Sequence, residues 1–288
     1  MPYLNQIFIL IFNLKPTYKI LSVLAITIVI AIFFSTLLYF IQGLILDGIK
    51  EAKPFHFLKI ASRCLTISLF VVLILYCYKY EKRSIFSYGL NKNPFNTQLL
   101  VGGFLFGVLS MVVLITINLY FNHSIFSIAY LPKRFFGDLF FQLFIVFIIG
   151  FFEEWFFRGF VLQTLMEEYS VGKSVVVSSL FFAATHFIRP VSNWYLLIPE
   201  FFGLFLIGTI LANAVVHTRS LYFSIGIHAG WVYIVKLDKY FINHFDLTLQ
   251  KVFGGEKLLS RITSWILILL ILYFLKQIIQ VFSLRKLK

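Results

Sequence analysis

The sequence predicts an all-α fold, a polytopic membrane bundle of about eight transmembrane helices, and three observations carry that expectation. Hydrophobic residues make up 60% of the 288 residues, 37 of them Phe, while charged residues contribute only 13%, a balance from which a soluble core and shell cannot be built. The apolar residues gather into runs near the length of about 20 that a helix needs to cross a bilayer core. Lys and Arg punctuate the ends of those runs. The same composition excludes disorder, and a content of two cysteines excludes a disulfide-built secreted scaffold.

The runs follow one another in order along the chain. The first spans 20–46, and the second spans 61–78 and is closed by KYEKR. A polar stretch with Asn91, Asn93 and Pro94 leads to the third, 99–121. The fourth, 136–166, carries a charged cluster through its middle. Shorter segments follow at 175–187, 198–216 and 221–235, and the last run is 262–282. The fifth and seventh are short for independent spans, as suits helices buried inside a bundle. Cys64 and Cys77 lie in one run, where a helix holds them roughly 20 Å apart and out of disulfide reach, so they read as packing residues.

The N-terminal IFILIF lacks a basic region before it, and the run after it is too long for a cleaved signal, so the first span is expected to be retained. No fixed-period repeat or inverted pair of halves is visible. Residues 1–288 read as a single integral membrane domain, with 136–235 as its motif-bearing core. The connections 79–97 and 236–261 are long enough to hold interfacial structure, and the second contains the amphipathic LTLQKVF. An even span count puts both termini on one side, although Lys and Arg divide equally between the two sides and set no orientation. The net charge of +13 fits anionic lipid head groups and not nucleic acid, since no soluble face displays it.

Function is sought where the sequence places charge at membrane depth, at about 2.5–3.5 kcal/mol per residue on insertion scales. The fourth span concentrates Glu153, Glu154 and Arg158 in FFEEWFFRGF. On a helix Glu154 and Arg158 share a face at i, i+4 and can pair. Glu153 is rotated by about 100° and lacks that partner, which leaves it free for chemistry. His186 in FFAATHF and His228 in SIGIHAGWVY repeat the pattern on two further apolar segments. A Glu and two His can activate a water, with Glu as general base and His as donor to a developing oxyanion. They can equally ligate a metal through all three side chains with water in the open position. His56, His123, His217 and His244 fall in loops or at span ends and read as interfacial. Glu200 and Asn213 are candidate polar lining in the sixth span.

Read in order, Glu153-Glu154-x-x-x-Arg158, Phe182-x-x-x-His186, Phe205-x-x-Gly208 and Ser220-Leu-Tyr-x-Ser-Ile-Gly-Ile-His228-Ala-Gly-Trp231 resemble the CPBP (CAAX protease and bacteriocin-processing, or Abi) family of intramembrane endopeptidases. The resemblance covers 136–235 and extends to the flanking spans only in number and hydropathy. It implies a helix bundle whose interior holds the site of peptide-bond hydrolysis, acting on a hydrophobic, prenylated or transmembrane peptide. Carried over by residue, it implies that Glu153 activates water with help from His186, that His228 stabilises the oxyanion, and that Glu154 and Arg158 hold the helix and its neighbours, with Phe182 in support. It implies no obligatory metal, with zinc held by Glu153, His186 and His228 as the variant.

The chain departs from the family at Val232, four residues after His228, where Asn or Asp is usual. A valine donates no hydrogen bond, and one oxyanion donor is worth about 2.7–4 kcal/mol, so Asn213 or a water would have to substitute. Val232 also motivates a different class of function, a catalytically weak scaffold or immunity protein that holds a hydrophobic peptide without cleaving it. A transporter using Glu and His as a proton relay is a third class. The leading expectation is a multi-pass intramembrane protease of glutamate type.

Overall fold

The computed structural model describes residues 15–46, 56–122, 125–126, 134–187, 197–243 and 258–282. They fall into two compact units, Met1–Ser87 and Tyr88–Lys288. The motif-bearing stretch 136–235 lies wholly within the second.

In the first unit α1 (Pro16–Leu46) packs on α2 (Phe57–Leu75). Helix α2 continues as a π-helical turn over Tyr76–Glu81, which ends at Lys82 in the left-handed region, φ 49°. Cys64 and Cys77 are both buried and free, as expected of packing residues. The N-terminal IFILIF lies outside the described residues.

The second unit contains α3 (Asn96–Asn122), α4 (Phe135–Glu154), α5 (Leu162–Met166), α6 (Val171–Thr185), α7 (Leu197–Thr218), α8 (Leu221–Phe241) and α9 (Ile262–Phe282). Helices α4 and α5 form one rod, joined by a π-helical segment at Trp155–Val161. Two short strands, β1 (Ile125–Phe126) and β2 (Ile242–Asn243), pair antiparallel, with Ile125 opposite Asn243. Among the described residues six helical stretches are long and apolar enough to cross a membrane: Pro16–Ile45, Phe57–Glu81, Asn96–Ile117, Phe135–Met166, Leu197–Thr218 and Ile262–Val281. The two shorter apolar helices, Val171–Thr185 and Leu221–Leu237, are the fifth and seventh segments that the sequence marks as short. The all-helical, polytopic expectation holds.

The boundary that differs most is the end of the seventh segment. The seventh segment is expected to end at residue 235, yet α8 continues to Phe241. Its polar residues are held against α4 instead of ending the helix: Lys236 Nζ donates to Gln142 Oε1 at 3.1 Å and Tyr240 OH to Asp138 Oδ2 at 3.4 Å. Phe135 adds edge-to-face contacts with Tyr240 and Phe241. The connection that follows is correspondingly shorter than 236–261, and LTLQKVF lies outside the described residues.

Helix α8 is the centre of the unit, and glycine sets how closely its neighbours approach. Gly103 and Gly107 on α3 face Gly226 and Gly230 on α8, a four-residue spacing on both sides. A Cβ built on Gly103 or Gly226 would collide with the backbone of the opposite helix, at Phe223 and Leu100 respectively. At Gly107 it would lie 2.5 Å from the Ile227 carbonyl oxygen, and at Gly230 the same distance from that of Phe104. Close backbone approach at small residues is how membrane helices gain dispersion contacts where lipid supplies no hydrophobic drive. Trp231 Nε1 locks the seam by donating to Ser110 Oγ on α3 at 2.8 Å. Gly150 admits α8 against α4, since a Cβ there would sit 3.2 Å from the Ile225 carbonyl oxygen.

Gly103→Leu should therefore lower the melting temperature of the purified protein by several degrees, the consequence of overpacking worth about 1–3 kcal/mol. Gly172→Ala is the comparison, because a Cβ there meets nothing within 4 Å, and thermal unfolding in detergent should leave it unchanged.

Candidate active site

Glu153 and Glu154 are the last two residues of α4 before the chain widens into its π-helical turn, all seven residues of which are buried. Such a turn leaves carbonyls without their usual partners, and side chains take them up. Ser178 Oγ on α6 donates to the Phe157 carbonyl at 3.1 Å, and Gln163 Nε2 approaches that of Arg158 at 3.5 Å. Beside the turn, Tyr88 packs edge-to-face on Phe160. Gly89, at φ 85°, turns its carbonyl to accept from the Leu221 N–H at the start of α8.

Glu154 and Arg158 are both fully buried. Arg158 Nη1 donates to Glu154 Oε1 at 2.8 Å, the i, i+4 pairing that the spacing predicts. Its Nη2 crosses to α7 and donates to the Gly208 carbonyl at 3.2 Å, while its guanidinium carbon lies 4.3 Å from the centre of the Phe182 ring. The approach of α6 to α7 is set at Gly208, where a Cβ would sit 3.1 Å from the Cα of Ser179. One ion pair thus ties together α4, α6 and α7.

Glu154 has two further partners that the sequence reading does not give it. Ser224 Oγ on α8 donates to its Oε2. His228, one turn further along α8, meets its Oε1 through Nδ1 at 2.8 Å. A carboxylate held against an arginine accepts, so His228 carries a proton on Nδ1 and turns Nε2 toward Glu153, 3.8 Å away. The glycine seam explains this aim: Gly226 and Gly230 lie two residues either side of His228, roughly 200° around the helix from it. Packing the glycines on α3 therefore turns the imidazole toward α4.

His186 reaches the same place from α6. It is the residue at which that helix ends, and its Nδ1 donates to the Phe182 carbonyl one turn back at 2.8 Å. Its ring packs on that of Phe182 at 4.5 Å. The Phe182-x-x-x-His186 spacing is thus a holder for the imidazole. Its Nε2 lies 4.0 Å from Glu153 Oε2. Glu153 Oε2 receives no hydrogen bond from the described residues, and both separations suit a bridging water better than direct contact. The side chains of Glu153 and His186 are each 34% exposed, against 8% for His228 and none for Glu154.

The remaining sequence candidates lie elsewhere or serve their own helix. Asn213 donates to the Thr209 carbonyl in α7 at 2.8 Å, and Glu200 is half-buried in the first turn of that helix. His217 is exposed near the end of α7 and His56 directly precedes α2 without a side-chain bond to it, while His123 and His244 lie outside the described residues. Val232 is half-buried. Among the described residues no group of three His, Cys, Asp or Glu side chains is gathered for a metal ion. Ser224, the Gly208 carbonyl and the π-helical turn were not foreseen. The spacing of Ser224, one turn before His228, was the signal available for the first.

This constellation lies in a single stretch of chain. Residues 135–234 match the family described as type II CAAX prenyl endopeptidase Rce1-like. The match bears out the resemblance to CPBP proteins over the part of the chain that carries every residue of the cluster. That family is one of membrane-embedded proteases, and with its apolar helices the chain is a multi-pass membrane protein. No curated protein matches the sequence.

The two adjacent glutamates should differ in how much stability depends on the state of their charge. Arg158→Met strands the buried Glu154 charge and should destabilise the protein by about 3–5 kcal/mol. Glu153→Gln, at a partly exposed site with no protein hydrogen bond on Oε2, should change stability by less than about 1 kcal/mol. Denaturation of the two variants in detergent reads the contrast.

Proposed function

We propose that the protein is an intramembrane endopeptidase in which Glu153 activates water to hydrolyse a peptide bond in a lipid-modified or transmembrane substrate. The observation that carries this reading is the convergence of His186 Nε2 and His228 Nε2 on Glu153 Oε2, at 4.0 and 3.8 Å. Three side chains from three helices meet at one buried carboxylate oxygen, and the two imidazoles are each held from behind, His186 by the Phe182 carbonyl and His228 by Glu154. The family match over 135–234 supports the reaction class and a prenylated C-terminal segment as the substrate class.

Glu153 takes a proton from a water held between its carboxylate and His186, and the resulting hydroxide attacks the scissile carbonyl carbon. His228, protonated on both nitrogens, donates from Nε2 to the oxyanion while Nδ1 stays on Glu154. The proton on Glu153 then passes to the leaving amide nitrogen as the C–N bond breaks, giving a carboxylic acid and an amine. Base catalysis of this kind contributes about 10²–10⁴-fold. Glu153 and Glu154 as carboxylates, with Arg158 and His228 as cations, form a set with no net charge, which favours its burial among apolar helices.

Glu153→Gln should abolish cleavage while leaving the protein folded in the membrane. Comparing new peptide termini in membranes that hold equal amounts of wild type and variant checks this and identifies substrates together. Equal termini from both would defeat the proposal. Wild-type cleavage that survives a zinc chelator supports water activation without metal, and its loss points to zinc on the same three side chains.

Val232 lies one turn beyond His228 on the same face of α8, where a second donor to the oxyanion belongs. Val232→Asn should raise kcat by about tenfold or more, part of the 2.7–4 kcal/mol that one such donor is worth. Steady-state kinetics on a peptide spanning an identified cleavage site reads it, and an unchanged kcat would show that the oxyanion does not face this position.

A further inference from the structure

We propose that Ser224 is a positioning residue of this site, the group that fixes the Glu154 carboxylate and through it the orientation of His228 and the proton on its Nδ1. The proposal rests on the hydrolytic reading above and extends it to a residue two contacts removed from the substrate.

Arginine normally grips a carboxylate with two parallel N–H donors, which fixes both its position and its rotation. Arg158 does not. Its fork is divided, Nη1 going to Glu154 Oε1 and Nη2 to the Gly208 carbonyl. A single-nitrogen contact leaves the carboxylate free to turn about its last bond. Oε1 is the atom that His228 Nδ1 meets, so any such turn moves the acceptor on which the imidazole depends. The second point of attachment is the Ser224 hydroxyl on Oε2.

Ser224, like Ser178, departs from the habit of most hydroxyls in these helices. Thr27, Thr116, Thr209 and Thr218 each donate back to the carbonyl four residues earlier in their own helix. That is the usual resting place of a hydroxyl inside an apolar helix. Ser224 is fully buried and sends its one proton across to α4 instead. The glycine seam that turns His228 toward Glu153 sets the rotation of Ser224 too, since residues four apart share a face. Ser224 and His228 therefore clasp the two oxygens of Glu154 from one helix.

A merely structural serine and a positioning serine differ in what their loss does to His228. The test is solid-state NMR of full-length protein carrying ¹⁵N-histidine in phosphatidylcholine vesicles, with the His228 signal assigned by its absence in His228→Gln. Wild type should give one imidazolium pattern with a proton on both ring nitrogens. Ser224→Ala should split that pattern into more than one state of Nδ1 and lower kcat by about 10- to 100-fold, the usual effect of losing an outer-shell partner, with KM changed by less than about twofold. Ser224→Thr, which keeps the hydroxyl, should restore both. If Ser224→Ala does not accumulate in membranes, Ser224→Cys keeps the volume with a much weaker donor and should give the same two changes. An unaltered His228 pattern and kcat in Ser224→Ala, with Glu153→Gln inactive, would overturn the positioning role and leave the hydrolytic reading standing. Activity retained by Glu153→Gln would sink that reading, while the NMR comparison would still decide the link from Ser224 to His228.

Discussion

The fully buried pair of Glu154 and Arg158 is the constraint around which the second unit is arranged. Neither charge can be left unpaired at membrane depth, and a pair alone does not use all of their hydrogen-bonding capacity. The remaining valences draw in a carbonyl from α7, a ring from α6 and two donors from α8. A buried ion pair often adds little net stability compared with an apolar replacement. Here it serves as a connector, because each helix that satisfies it is held at a defined height and rotation. The histidines inherit that precision: His228 through its bond to Glu154, and His186 through Phe182, whose ring the arginine covers.

Glycine does the complementary work at a distance from the chemistry. Around α8, Gly103, Gly107, Gly226 and Gly230 bring two backbones together on one side, while Gly150 admits α4 on another. Each removes a side chain so that dispersion contacts form between main chains. Since rotation of a helix is indivisible, seating the glycines on α3 also aims Ser224 and His228 at α4. Two residues of the IGIHAG stretch thus serve packing and one serves the site, although they read as a single motif.

Much of this was legible in the sequence, for identifiable reasons. Runs of apolar residues bounded by Lys and Arg report directly on the bilayer, which forces backbone hydrogen bonds to close within helices. The spacing of Glu154 and Arg158 survives the change from α to π geometry because the pair sits where the two meet. What periodicity does not convey is the π-helical turn itself, which depends on carbonyl partners at Ser178 and Gln163 that are distant from any local pattern. The length of α8 was underestimated for a related reason. Lys236 and Tyr240 look like a helix boundary until Gln142 and Asp138 are seen to receive them. Ser224 stood in view one turn before His228, but a hydroxyl in an apolar helix ordinarily bonds to its own backbone, and only its neighbours show that this one does not.

Two identical side chains at adjacent positions have been given opposite circumstances, and the difference follows from helix geometry. A step of one residue turns the chain by about 100°, enough to carry Glu154 into the sealed interior and leave Glu153 at its margin, one-third exposed. Glu154 already accepts from three donors and is fully buried. Glu153 has an oxygen with no hydrogen bond from the described residues and two imidazoles within 4.0 Å. Pairs of like groups pushed into unlike environments are how proteins separate a structural charge from a reactive one. Exposure rises from Glu154 through His228 to Glu153 and His186, so the cluster is sealed at the ion pair and reaches the surface at its other end. Placing the anchor next to Glu153 in sequence makes the two inseparable in space. Whatever holds the anchor in register, Ser224 included, therefore also sets the position of Glu153.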